Sequence, residues 1–247
     1  MISHVSPQKI SDSRVCFVNL LIDGKGTLEY PSSEKYVGEF NRGAKEGCGT
    51  MSLANGDVFD GYWKDNKPEG LGTFNYHNGS VYSGNFQNGR YHNYGVLTCS
   101  NNGMKYEGEW INGFRDGKGR MQYKDGSYYD GFWKDGLREG NGSFVSQNEG
   151  NYNGEWLGDL KHGKGCMEFV SGNVYDGMWK QGMFHGHGKM IYSSGSIAFF
   201  DGEWVKNKKS GKGVIYYTNG DSFEGQFKED MVSTITSMTW MILTEYR

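Results

Sequence analysis

Flat aromatic rings set beside glycine are the side chains most able to do chemistry in this chain. Its 247 residues hold 7 Trp, 17 Tyr and 14 Phe alongside 40 Gly. Rings of this kind recognise partners rather than catalyse, since Trp, Tyr and Arg are the side chains enriched at binding hot spots. Tyr106, Trp110, Tyr129, Trp133, Tyr152, Trp156, Tyr175, Trp179 and Trp204 are expected on one face, where they would contact a partner protein. The competing expectation is that these rings hold the fold together by packing on one another. Five bases, Lys45, Arg115, Arg138, Lys161 and Lys209, recur at one repeat position near hairpin tips. Acids stand beside them at Glu46, Asp116 and Glu139, so a solvated mixed-charge surface is expected there, with anionic lipid as the minority partner.

Other chemistries find little support. His162 lies a repeat away from His185 and His187, roughly 10 Å across two strands, too far for shared metal bonds, so no metal or cofactor is expected. Neither a G-x-x-x-x-G-K-[ST] loop nor a G-x-S-x-G elbow occurs, and no enzyme activity is expected. With 26 bases against 29 acids, the net charge of −3 offers no basic field for nucleic acid. Cys16, Cys48, Cys99 and Cys166 are scattered without a C-x-x-C pair, which suits a reducing, cytoplasmic compartment. No apolar run approaches the ~20 residues of a membrane helix.

The spacing of the rings sets the elements that must carry them. An aromatic residue, then Gly two residues on, then Trp or Phe four residues on, recurs from Tyr36, Phe59, Tyr82, Tyr106, Tyr129, Tyr152, Tyr175, Phe200 and Phe223. The period is about 23 residues, the signature of a repeat architecture. Within one unit, Tyr106, Gly108 and Trp110 alternate with Glu107 and Glu109, and Gly117, Gly119, Met121 and Tyr123 alternate with Lys118, Arg120 and Gln122. Two alternating segments joined by turn residues read as a β-hairpin. Glycine beside each ring would let it lie flat on the backbone. Asn55-Gly56, Asn78-Gly79, Asp125-Gly126 and Asn219-Gly220 read as turns needing positive φ.

The unit Y-x-G-x-W-x-x-G-x-x-x-G-x-G resembles the MORN (membrane occupation and recognition nexus) repeat. Asn66, Asp159, Asn207 and Asp230 replace its third glycine and Asn93 one of the G-x-G glycines, swaps that left-handed turn geometry tolerates. The expected fold is therefore all-β: an elongated, single-layer antiparallel solenoid of successive hairpins, roughly 20 strands in all. Its expected divisions are a flexible N-terminus at 1–12, a degenerate capping repeat at 13–35, eight repeats at 36–222, and a degenerate cap or tail at 223–247. Phe223, Phe227, Met238 and Trp240, in the last unit, are candidate dimer contacts.

The resemblance implies a non-enzymatic scaffold that presents its aromatic groove to a helix or peptide of another protein. Similar proteins serve in cytoskeletal and axonemal assemblies, radial-spoke heads among them, so a cytoplasmic, cytoskeleton-associated place, including the cilium, is expected. A second implication is membrane tethering through phospholipid, since junctophilins and plant phosphatidylinositol phosphate kinases carry similar repeats. Some SET-domain methyltransferases do too, but the repeats here run almost to Arg247, where such a domain would have to follow.

Overall fold

The computed structural model describes residues 23–240. The expected flexible N-terminus, residues 13–22 of the first capping repeat, including Phe17, and residues 241–247 lie outside them. Nineteen strands form one open antiparallel sheet in which each strand pairs with the next along the chain. They are β1 Gly24–Glu29, β2 Lys35–Asn41, β3 Ala44–Ser52, β4 Val58–Lys64, β5 Lys67–Asn75, β6 Val81–Gln87 and β7 Arg90–Thr98. Next come β8 Lys105–Ile111, β9 Phe114–Gln122, β10 Tyr128–Lys134, β11 Leu137–Ser146, β12 Gly150–Leu157 and β13 Leu160–Phe169. The last are β14 Val174–Lys180, β15 Met183–Ile191, β16 Ile197–Val205, β17 Lys208–Tyr217, β18 Ser222–Lys228 and β19 Met231–Thr239.

Each unit closes with a two-residue turn in which both residues have positive φ, such as Asn112 (52°) and Gly113 (89°) between β8 and β9. That geometry matches the twist of paired strands, and it explains the third glycine of the motif. Where Asn or Asp stands instead, the backbone keeps the same conformation: Asn66 is at φ 67°, Asp159 at 68°, Asn207 at 65° and Asp230 at 68°. The link to the next unit is a wider turn. Between β9 and β10 it runs from Tyr123 to Ser127, with Gly126 at φ 84°.

The two glycines of G-x-G have different jobs, where the sequence suggested one. Gly119 pairs with Gly108 across the hairpin, and the Tyr106 ring covers both; a Cβ on Gly119 would overlap the Tyr106 hydroxyl. Gly117 instead sits in a bulge at φ 100°, where Glu109 alone faces Asp116, Gly117 and Lys118. A Cβ there would strike the Glu109 carboxylate on the opposite face, not a ring.

The core of this single layer is the ladder of rings itself. Tyr129 is 0% exposed and Trp133 4% exposed. Trp133 stands edge-on to its own Tyr129 at 5.1 Å and to Tyr106 of the unit before at 5.5 Å. Its indole N–H donates to the Gly119 carbonyl at 2.9 Å, while the Tyr129 hydroxyl donates to the Phe132 carbonyl at 2.9 Å. The same pair of bonds recurs at Tyr106 and Trp110, Tyr152 and Trp156, and Tyr175 and Trp179. Each tryptophan thus ties its unit to the preceding one, and no second layer is needed to keep the rings dry. The opposite face is less uniformly charged than the alternation suggested, because Tyr62, Tyr94, Phe132 and Met178 are exposed on it.

Candidate partner-binding groove

The tenth position of each unit decides what the ring-bearing face shows to solvent. In β9, Arg115 pairs with Trp110 of β8, so it shares the aromatic face. The expected tip bases therefore do not stand out as a solvated surface stripe. All five are half-buried, with their heads folded over the ladder. The Arg115 guanidinium lies 4.4 Å from the Trp133 ring, Arg138 4.1 Å from Trp156, and Lys45 4.7 Å from Trp63. Cations placed over an indole face gain electrostatically, more so when partly desolvated. Lys161 sits between Tyr152 and Trp179, and Lys209 is 5.1 Å from Phe200. Alternation along β9 runs through the bulge at Gly117, so it does not place Arg115 by itself; the pairing of Arg115 with Trp110 does.

Aromatic residues take the tenth position in two units. Tyr91 stacks on Tyr82 at 3.6 Å, and Phe184 on Tyr175 at 4.0 Å. Between them lies a depression of about 750 Å³, whose walls include Tyr123, Arg138, Phe144, Trp156, Leu160 and Lys161. Of the nine rings expected to meet a partner, Trp156 reaches this lining, and all nine are buried by their neighbours. Trp156 belongs to the floor of the depression, and the half-buried Tyr123, Phe144, Arg138 and Lys161 form its accessible wall.

Burial shapes the charges of the face. It pushes the Tyr36 phenol up to about 12 and raises the other ladder tyrosines in the same direction. It pushes Arg115, Lys161 and Lys209 down. Arg138 is held by Asp159, whose carboxylate accepts from both the Arg138 backbone N–H at 3.0 Å and its Nε at 2.9 Å. Among the described residues, no group of three His, Cys, Asp or Glu is placed to hold a metal ion, and no helix is long and apolar enough to cross a membrane.

A model of the MORN repeat matches the chain at 36–58, 59–81, 82–104, 106–128, 129–150, 152–174, 175–197 and 200–222. The chain belongs to the MORN repeat family. No curated protein matches its sequence. Among solved structures it is similar to the TCP10 domain of Danio rerio CPAP, with 12% identity and a TM-score of 0.44 over 87% of this chain and 99% of that one. It is also similar to the Drosophila melanogaster SAS-4 (dCPAP) TCP domain in complex with a proline-rich motif of Ana2 (dSTIL). That likeness has 9% identity and a TM-score of 0.25, covering 91% of this chain and 92% of the other.

The candidate dimer contacts divide between core and edge. Phe223 and Phe227 of β18 are buried at the end of the ladder. Met238 pairs with Phe223 but is 46% exposed, and Trp240 is 64% exposed. In inner units the Met238 position is buried, as at Met121 and Met167, and the Trp240 position half-buried, as at Tyr123 and Phe169, whereas β19 has no described strand beyond it.

Proposed function

We propose that this MORN repeat protein is a non-enzymatic scaffold whose groove holds a segment of a partner protein within a cytoskeletal or axonemal assembly. The observation that carries the reading is the depression walled by Tyr123, Arg138, Phe144, Leu160 and Lys161. It is a concave, partly apolar surface with polar groups at its rim, on a face whose remaining rings are already buried. Surfaces of that kind are where ligands and peptides dock. The cytoskeletal setting rests on what the family resemblance implies.

The test uses wall residues and spares the floor. Trp133→Ala would remove a buried ring and cost about 3–5 kcal/mol, so lost binding would only report lost structure. Tyr123→Ser and Leu160→Ser change the wall without opening the ladder. Proximity labelling in native cells should lose a discrete set of partners in the double variant, with circular dichroism unchanged. An unchanged set would sink the groove reading.

The exposed edge of β19 favours a second reading, a homodimer. Met231–Thr239 contains no Lys, Glu, Asp or Pro, the residues that usually blunt an edge strand, and its side chains are exposed throughout.

A further inference from the structure

Three consecutive units place a base at the tenth position, Arg115, Arg138 and Lys161, and aromatic rings bound this run at Tyr91 and Phe184. The bases are not equally satisfied. Arg138 is paired with Asp159. Arg115 donates to the Gly136 carbonyl at 2.8 Å and meets no carboxylate at ion-pair distance among the described residues. Lys161 touches a thioether, Met167 Sδ at 3.5 Å, and two ring faces, again with no carboxylate at ion-pair distance. Two cations thus sit half-buried on an apolar floor without an anion, at a cost in desolvation that an incoming carboxylate would offset. The nearby acids are already engaged or peripheral. Asp125 accepts from Ser127 of its own turn, Asp159 holds Arg138, and Glu149 is exposed at the rim.

The repeat fixes the spacing that such carboxylates must have. Two strands per unit at ~4.8 Å put successive bases about 10 Å apart across the sheet. Seven residues of α-helix rise about 10.5 Å. Helical geometry also suits the backbone. A segment crossing these strands meets rings and side chains, because the N–H and C=O groups of the inner strands are used in pairing with their neighbours. An extended segment would find few backbone partners there, whereas a helix satisfies its own.

We propose that the ring-bearing face running from Arg115 into the depression at Arg138 and Lys161 receives an amphipathic helix of a partner protein with an acidic residue at every seventh position, its carboxylates meeting these three bases. This rests on the groove reading above and specifies its ligand.

Synthetic helices of about 20 residues test it against the full chain by fluorescence anisotropy. One carries Glu at i, i+7 and i+14, a second has the same composition with Glu at i, i+5 and i+10, and a third has Lys at the heptad positions. The heptad-Glu peptide should bind about tenfold more tightly than either other, and the difference should shrink as salt rises. Lys161→Met, which keeps the stem and removes the charge, should weaken it about tenfold, and Glu149→Gln should strengthen it. Should Lys161→Met fail to fold, Arg115→Gln and the exposed Glu149→Gln carry the same comparison. Equal binding of the two Glu peptides, indifference to the charge changes, or tighter binding of a proline-interrupted peptide with Glu at every third residue would overturn the proposal. So would binding of phosphatidylserine vesicles with no binding of the heptad-Glu peptide. If the peptides fail while Tyr123→Ser and Leu160→Ser still lose their cellular partners, the acidic helix falls and the groove stands.

Discussion

At the scale of the residue, a glycine and a ring form one unit of structure. Gly119 lets the Tyr106 ring lie on the backbone, and the ring then buries the next tryptophan's edge. Gly119→Ala forces that ring aside and is expected to cost about 1–3 kcal/mol, the usual range for overpacking. Gly113→Ala meets nothing within 4 Å, so only its φ of 89° opposes it, at about 1 kcal/mol. Urea unfolding of the two variants should rank them in that order, and the reverse order would mean that turn strain, not ring contact, limits the fold. The glycine beside the ring was legible in the spacing. The bulge at Gly117 was not, because alternation in one strand does not reveal how many residues the partner strand sets against it.

At the scale of the hairpin, the turn of one unit is bonded to the strand of the unit before. The Gly136 N–H donates to the Arg115 carbonyl at 2.9 Å, and Gly182, Asn207 and Asp230 repeat the bond to Lys161, Phe184 and Lys209. Units with Asn or Asp in the turn add a side-chain latch. Asn66 accepts from the Lys45 N–H at 2.8 Å, Asn207 from Phe184 at 2.7 Å and Asp230 from Lys209 at 2.9 Å. The sequence explained these departures as tolerated turn residues, but each also ties two units together. Asp159→Gly keeps the positive φ and removes the latch and the charge held by Arg138. It should destabilise by about 1–3 kcal/mol, as for a charge-assisted bond. Thermal melting checks it, and no change in midpoint would leave Asp159 with a turn role alone.

At the scale of the whole molecule, nineteen strands at ~4.8 Å make a sheet on the order of 90 Å long whose units touch only their neighbours. The inner units are covered on both sides, and the last described strand is not. Met238 and Trp240 are exposed where an inner unit buries the first position, as at Met121, and half-buries the second, as at Tyr123. Under the dimer reading, the chain should sediment with a concentration-dependent weight, and Ile235→Lys on β19 should return it to a monomer. A wild-type monomer at every concentration would remove that reading and leave the edge to the residues beyond 240 or to another partner.

Period and alternation by themselves determined the architecture. A 23-residue spacing of Tyr, Gly and Trp fixes local hairpins, and hairpins that contact only their sequence neighbours leave little further choice of topology. Turn residues were equally legible, since positive φ admits few side chains. The identity of the accessible surface was decided only in the tertiary structure. Whether Trp133 meets solvent depends on Tyr106, Gly119 and Arg115 of the preceding unit, and no property of Trp133 itself encodes that. The bases likewise carry no sign in the sequence that separates a solvated tip from a cation laid over an indole. That distinction comes from the pairing of Arg115 with Trp110 and from the ring of the next unit beneath it.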